Sequence, residues 1–168
     1  MSNSYKVRAE KFIHQIYDYI VNCDSEEQFE EAVAWFNLSH HRKVHFSHGL
    51  TRVCFITSDY VVKYDFGTFR DLGRFGTCES EIRMYEFAEQ AGFGYLFAEP
   101  TMVEYKGKQF MIMPRVYGIG RYDYDADEYL TYEEYEWIHD RVYDLHNQNY
   151  GWKNGHPVIF DYACSCLG

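Results

Sequence analysis

The 168-residue sequence has no run of eighteen apolar residues, the length that a membrane-spanning helix requires. Its opening, Met1 to Lys6, also lacks the apolar core of a secretion signal. These absences predict neither a membrane span nor export. Cysteines number five, an odd count without the spacing of a disulfide framework, which predicts reduced thiols and a cytoplasmic setting. Cations are in short supply: 16 Lys and Arg stand against 26 Asp and Glu, a formal net charge of −10. Gripping DNA or RNA by its phosphates needs clustered Lys and Arg, so nucleic acid is excluded as a partner and a basic protein surface is favoured. Apolar residues are not short, and at 46% of the chain they suffice for one compact domain with a core.

Three groupings of metal-ligating residue types fall short of a site. Asp123, Asp125, Asp127 and Glu134 occupy positions one, three, five and twelve of a calcium-loop pattern, but Glu128 stands where the sharp turn requires glycine. A solvated acidic linker is the better reading. His40, His41, His45 and His48 match no helical ligand pair, and on a strand His45 and His48 point to opposite faces. Cys164 and Cys166 supply only two thiols.

Periodicity predicts two helices before the first strand. Ala9, Phe12, Ile13, Ile16, Tyr17 and Ile20 form one apolar stripe, and Ser25 with Gln28 can cap a second helix carrying Phe29, Ala32, Val33 and Phe36. A third helix is expected from Thr131 to Val142, capped by Thr131 with Glu134 and burying Tyr135, Ile138 and Val142. Strands are expected around Phe46–Phe55, Tyr60–Tyr64, Phe97–Tyr105 and Lys108–Met113, with Thr57-Ser58-Asp59 and Lys106-Gly107 as turns.

Chemistry concentrates near the end. Asp144 is followed five residues later by Asn149, and twelve residues after that, behind the apolar Val158-Ile159-Phe160, by Asp161. Asn154-Gly155 marks a hairpin turn that would carry Asn149 and Asp161 to one spot. A carboxylate can take a proton from a hydroxyl, while an amide and a second carboxylate suit magnesium held against phosphates.

Asp144-Leu145-His146-x-x-Asn149 followed by Pro157-Val158-Ile159-Phe160-Asp161 resembles the catalytic loop and magnesium segment of the protein-kinase-like superfamily, most closely its bacterial and bacteriophage branches. The resemblance spans about residues 43–163 and implies an α+β fold: a five-stranded antiparallel N-lobe sheet with one regulatory-type helix, then a severely truncated helical C-lobe. The implied segments are an N-terminal helical extension at 1–40, an N-lobe at 41–116 and a minimal C-lobe at 117–168. The resemblance implies that Lys63 holds ATP phosphates and pairs with Glu81, for which Glu79 and Glu86 are rivals in the helical stretch Cys78–Ala88, where Ile82, Tyr85 and Ala88 share a face. Asp144 becomes the residue that positions the acceptor hydroxyl, with Asn149 and Asp161 as magnesium ligands. Gly49 is the one glycine of a phosphate-binding turn, Val53 and Val61 line the adenine, Met113 guards the pocket, and Pro114 C=O and Val116 N–H read the adenine edge.

Departures from the family pattern are plain. Val142-Tyr143-Asp144 replaces His-Arg-Asp, Asp161-Tyr162-Ala163 replaces Asp-Phe-Gly, and Val61 stands where Ala is usual. Seven residues follow Asp161, so the activation segment and later helices of a full kinase are missing. Three functions follow. The first is ATP- and Mg-dependent phosphoryl transfer to a host or self protein hydroxyl, in the host cytoplasm if the chain is viral. The alternative is a pseudokinase that inhibits or scaffolds a host protein, and the third is a small-molecule phosphotransferase. In each case the apolar N-terminal faces are expected to be buried, with at least one helix packed beneath residues 131–163.

Overall fold

The structure, a computed structural model, describes residues 4–49, 52–66, 76–118, 125–143, 145–163 and 165–166. Two compact units divide the chain: Met1–Asp71 with Thr101–Arg115, and Leu72–Pro100 with Val116–Gly168. The described residues form a mixed α+β structure with four α-helices, one five-stranded and one three-stranded sheet. No described helix is long and apolar enough to cross a membrane.

In the first unit, α1 (Ser4–Ile20) and α2 (Glu26–His40) precede β1 (His45–His48), β2 (Arg52–Ile56) and β3 (Tyr60–Asp65). β4 (Thr101–Tyr105) and β5 (Lys108–Pro114) complete an antiparallel sheet of order β1-β2-β3-β5-β4. Side chains alternate across a strand, and the register sorts them. Phe55 lies opposite Val62, Val62 opposite Ile112, and Tyr64 opposite Phe110, so these residues share one face. That face receives the helices. Phe12, Ile13, Ile16 and Ile20 of α1 and Phe29, Val33 and Phe36 of α2 are at most 3% exposed, in one cluster with Val53, Phe55, Val62, Phe110 and Ile112. Phe12 meets Phe36 edge to face, with ring centroids 5.4 Å apart.

The burial of these helical stripes was expected, but not its use. Their apolar faces pack on the sheet of their own unit. The physical reason is the sheet's own need: the apolar face of a five-stranded sheet requires a cover. Ser25 caps α2 by accepting the Gln28 N–H, while the Gln28 amide oxygen accepts the N–H of Asp24. Lys106 and Gly107 both take positive φ, closing the β4–β5 hairpin.

The second unit holds α3 (Cys78–Gln90), β6 (Tyr117–Gly118), α4 (Tyr132–His139), β7 (Tyr150–Lys153) and β8 (His156–Ile159), with the small sheet ordered β6-β7-β8. Asn154 and Gly155, at φ 55° and 77°, form the two-residue turn between β7 and β8. Its core joins Met84 and Ala88 of α3, Leu96 and Phe97, Ile138 and Val142, and Tyr150, Ile159 and Tyr162.

Three local expectations change. The strand foreseen from Phe97 starts only at Thr101, because Phe97 pairs instead with Ile159 and the Ala98 N–H donates to the Ile159 carbonyl (2.8 Å). The buried stripe of α3 runs through Cys78, Glu81, Met84 and Ala88, leaving Ile82 and Tyr85 half-buried. On α4, Tyr135 is 39% exposed and Glu134 is buried in its stead, since the carboxylate has internal donors.

The cluster of the first unit predicts a sharp contrast within α2. Phe36→Ala, like Phe12→Ala on α1, is expected to cost about 3–5 kcal/mol in urea unfolding. Trp35→Ala, on the exposed side of the same turn, is expected to stay within about 0.5 kcal/mol of wild type. Equal losses at Phe36 and Trp35 would contradict this packing.

Candidate functional site

Lys63 lies on the sheet face opposite the helices. Its register partners are Cys54 on β2 and Met111 on β5, while Val61 stands between Ile56 and Met113. Lys63, Val61 and Met113 therefore share one face. Lys63 is 3% exposed and Met113 1%.

Val53 does not join them. It pairs with Tyr64 and is fully buried in the cluster under α1 and α2. The expectation that Val53 lines the adenine is thus corrected: in this register Cys54 and Ile56 carry the β2 positions beside Lys63 and Val61. A one-residue shift of register exchanges the two faces, and nothing in the strand's own sequence sets that register. Gly49 is exposed in the β1–β2 connection and donates its N–H to the Arg52 carbonyl (2.8 Å), so its amide closes the turn and is not free to cradle phosphate.

The end of β5 has a definite polarity. The Arg115 N–H donates to the Asp59 carbonyl (3.0 Å), one pair beyond Tyr60 opposite Pro114. Bonded and non-bonded pairs alternate in an antiparallel ladder, which puts Pro114 in a non-bonded pair with its carbonyl directed away from β3. β4 pairs with β5 only as far as Ile112, so the ladder stops short of that carbonyl. Proline costs nothing here because this position needs no N–H. The Arg115 guanidinium donates to the Thr57 carbonyl (2.6 Å), tying the β2–β3 turn to the same point. Val116 belongs to the second unit, where its side chain lies so close to Gly151 that an added Cβ would meet it at 2.8 Å.

In the second unit, burial separates Glu81 from its rivals. Glu79 is exposed and pairs with Arg83, Glu86 is exposed, and Glu81 is fully buried. Glu81 Oε1 accepts the backbone N–H of Tyr162 at 3.0 Å. One residue earlier on α3, the Ser80 hydroxyl donates to the Ala163 carbonyl (2.9 Å). The first turn of α3 thereby holds the peptide that follows Asp161. Thr77 and Ser80 form a reciprocal cap that sets where this turn begins.

The β7–β8 hairpin joins Asn149 to Asp161. The Phe160 N–H donates to the Asn149 carbonyl (2.9 Å), and the Asn149 side-chain amide donates to the Asp161 carbonyl (3.1 Å). The Asp161 side chain is exposed. Asn149 Oδ1 and the Asp161 carboxylate are hard oxygen donors, and two such ligands suit a magnesium ion whose remaining positions go to phosphate and water. Asp144 lies outside the described residues. Its flank Val142 is buried and bridges to Ser165.

Among the described residues no group of three or more His, Cys, Asp or Glu is placed to hold a metal. The acidic stretch is used internally. Asp125 accepts the Asp127 N–H, and Asp127 accepts the Tyr150 hydroxyl (3.0 Å) and meets His139 (3.1 Å). Asp123 lies outside the described residues.

Support for the hairpin comes from residues that carried no motif. Tyr162 donates its hydroxyl to the Ala98 carbonyl (2.8 Å). Glu134 accepts the Thr131 N–H (2.7 Å) and the Tyr95 hydroxyl (2.8 Å), and lies 3.2 Å from His156 on β8. Burial pushes the Glu134 pKa up, but bonds from Thr131 and Tyr95 and the nearby His156 outweigh it and hold the carboxyl below its usual value. Burial, then the bond to Glu134, raises Tyr95 to about 12. The only signal in the sequence was the Thr131-x-x-Glu134 cap, which gives no hint of Tyr95 or His156.

No protein-family model and no curated protein sequence matches the chain. Among solved structures it is similar to the bifunctional kinase-methyltransferase WbdD, with 17% identity over 70% of this chain and 30% of that one, at a TM-score of 0.37. A WbdD crystal structure at 2.2 Å gives 17% identity over 74% of this chain and 33% of that one, at 0.38. The streptomycin–ATP–APH(2")-IIa ternary complex gives 14% identity over 80% of this chain and 70% of that one, at 0.39. The chain thus spans 30% to 33% of the WbdD chains. All three TM-scores lie below 0.5.

A carboxyl whose pKa is lower in the folded state adds stability that is complete above its unfolded pKa and is lost as pH falls through the folded one. Wild type is therefore expected to lose stability on acidification below about pH 4.5, and Glu134→Gln to flatten that part of the profile. Urea unfolding at a series of pH values checks this, and an unchanged acid slope in the variant would contradict it.

Proposed function

We propose that this chain is a protein-kinase-like phosphotransferase that moves the terminal phosphoryl group of ATP to a protein hydroxyl, with magnesium. The observation that carries the reading is the joining of Asn149 to Asp161, with the peptide after Asp161 held by the buried carboxylate of Glu81. A polar hairpin whose acids only cap turns has no use for a fully buried glutamate on that peptide.

The roles follow from the chemistry of the groups. Lys63 neutralises nucleotide phosphates from the face it shares with Val61 and Met113. Pro114 C=O accepts from the adenine edge and Val116 N–H donates to it. Asn149 and Asp161 would hold magnesium, which when bound offsets the charge of the phosphate oxygens. Asp144 orients the acceptor hydroxyl and takes its proton on a carboxylate oxygen. In functional terms residues 41–116 form the nucleotide lobe and 117–168 the metal and acceptor part, a division that cuts the chain differently from its compact units. A bacterial or phage setting in the cytoplasm belongs to the same proposal.

Thermal unfolding tests the nucleotide. A ligand that binds only the native state raises the melting temperature by mass action, so ATP with Mg²⁺ at about millimolar concentration is expected to stabilise the protein. Asp161→Asn is expected to remove most of the magnesium-dependent part. Absence of any shift in folded wild type would sink the reading.

Chemistry is tested separately. Asp144→Asn is expected to keep ATP binding but to lower phosphate transfer by about a hundredfold or more. Wild type that binds ATP yet labels neither itself nor added protein would favour a scaffold of kinase shape, and labelling of small acceptors alone a small-molecule phosphotransferase.

A further inference from the structure

The outward side of α2 is not explained by the fold of its unit. α2 gives Phe29, Val33 and Phe36 to the core, yet Trp35 is 58% and Leu38 69% exposed. Trp35 borders a groove of ≈ 440 Å³ lined by Tyr19, Asn22 and Cys23 at the end of α1 and by Glu31, Trp35 and Ser39 along α2. No Lys or Arg lines it. With Gln28 and Ala32, which also line the groove, the α2 positions form one stripe along the helix from Gln28 to Ser39, about 16 Å long at 1.5 Å per residue.

The groove is electronegative for three separate reasons. Glu31 contributes a carboxylate to its wall. α1 ends there with no basic residue of its own in its last turn, and Lys106, which reaches that turn, is paired with Asp18, so the negative end of the helix dipole lies at the groove. Asp24 lies beside it, and the Cys23 thiol is pushed up by burial and then by the charges of Asp24 and Glu31. The same thiol donates to the Tyr19 carbonyl (3.5 Å).

We propose that this groove docks a basic amphipathic segment of a partner protein. Its apolar side chains would cover Trp35 and Ala32, and an Arg or Lys would sit over the Trp35 ring, beside Glu31 and the α1 carbonyl end. An exposed tryptophan next to a carboxylate is the pairing that recognises a guanidinium or ammonium group with an aliphatic stem. The net charge of −10 draws such a segment in. The inference does not depend on nucleotide binding, since every residue it uses belongs to α1, α2 and their connection.

The test uses the full chain and a fluorescein-labelled helical peptide of about 14 residues, with Leu on one face and Arg along its edge. A Glu-for-Arg counterpart and an Arg/Gly peptide of equal charge without an apolar face serve as probes of cause. Wild type is expected to bind the Arg/Leu peptide below about 100 μM, to reject the Glu version, and to bind the Arg/Gly peptide far more weakly. Trp35→Ala and Glu31→Lys are each expected to weaken binding about tenfold or more. Trp35→Phe, which keeps a ring, should lose less, and Tyr132→Ala, an exposed aromatic on α4, should lose nothing. The proposal is overturned by equal binding of the Arg/Gly peptide, by Trp35→Ala or Glu31→Lys variants that bind like wild type, or by no binding to wild type. Sedimentation showing a dimer that Trp35→Ala dissolves would also overturn it, by assigning the face to a second copy of this chain.

Discussion

A carboxylate without exposed surface must have its oxygens satisfied, because an unpaired buried charge costs several kcal/mol. Glu81 meets part of that demand with the backbone N–H of Tyr162. The consequence reaches beyond one bond. Tyr162 cannot move without stripping a donor from a buried anion, so the chain after Asp161 is held to the first turn of α3. Ser80 on Ala163 and the Tyr162 hydroxyl on Ala98 fix the same short stretch from two more directions. Asn149 then has a firm partner across the hairpin, and the two candidate metal ligands are set by tertiary bonds on both sides.

In the first unit the organising constraint is the two-residue period of a strand. A sheet that buries one face against α1 and α2 must present the other face elsewhere. Lys63 lies between Val62 and Tyr64, both turned to the helices, so it has no choice of side. The same rule moves Val53 into the core and brings Cys54, Ile56 and Met111 to the face of the lysine. Hydrophobic packing on one side of the sheet thus decides which groups are available for chemistry on the other.

Two groups of acidic residues among those described behave differently. Asp125, Asp127 and Glu134 accept hydrogen bonds from N–H and hydroxyl groups of their own unit, and serve as internal braces near the hairpin. Those of α2 face solvent beside an exposed tryptophan. The same residue types therefore serve as internal hydrogen-bond acceptors in one unit and as an outward-facing surface in the other.

Much of the local structure was legible in the sequence, because it is set by short-range chemistry. The apolar stripes of α1 and α2, the Asn154-Gly155 and Lys106-Gly107 turns, the Thr131–Glu134 cap and the meeting of Asn149 with Asp161 all depend on residues close together in the chain. Only the tertiary structure decided that Glu81, and neither Glu79 nor Glu86, is the buried carboxylate, since all three lie on one helix and only packing distinguishes their faces. Val53 illustrates the same limit: a strand shows its period but not its register, and register is fixed by pairing with residues far away. The N-terminal helices illustrate it once more. An amphipathic stripe states that a face must be buried, but the surface that buries it is chosen by whichever apolar area most needs a cover, here the sheet.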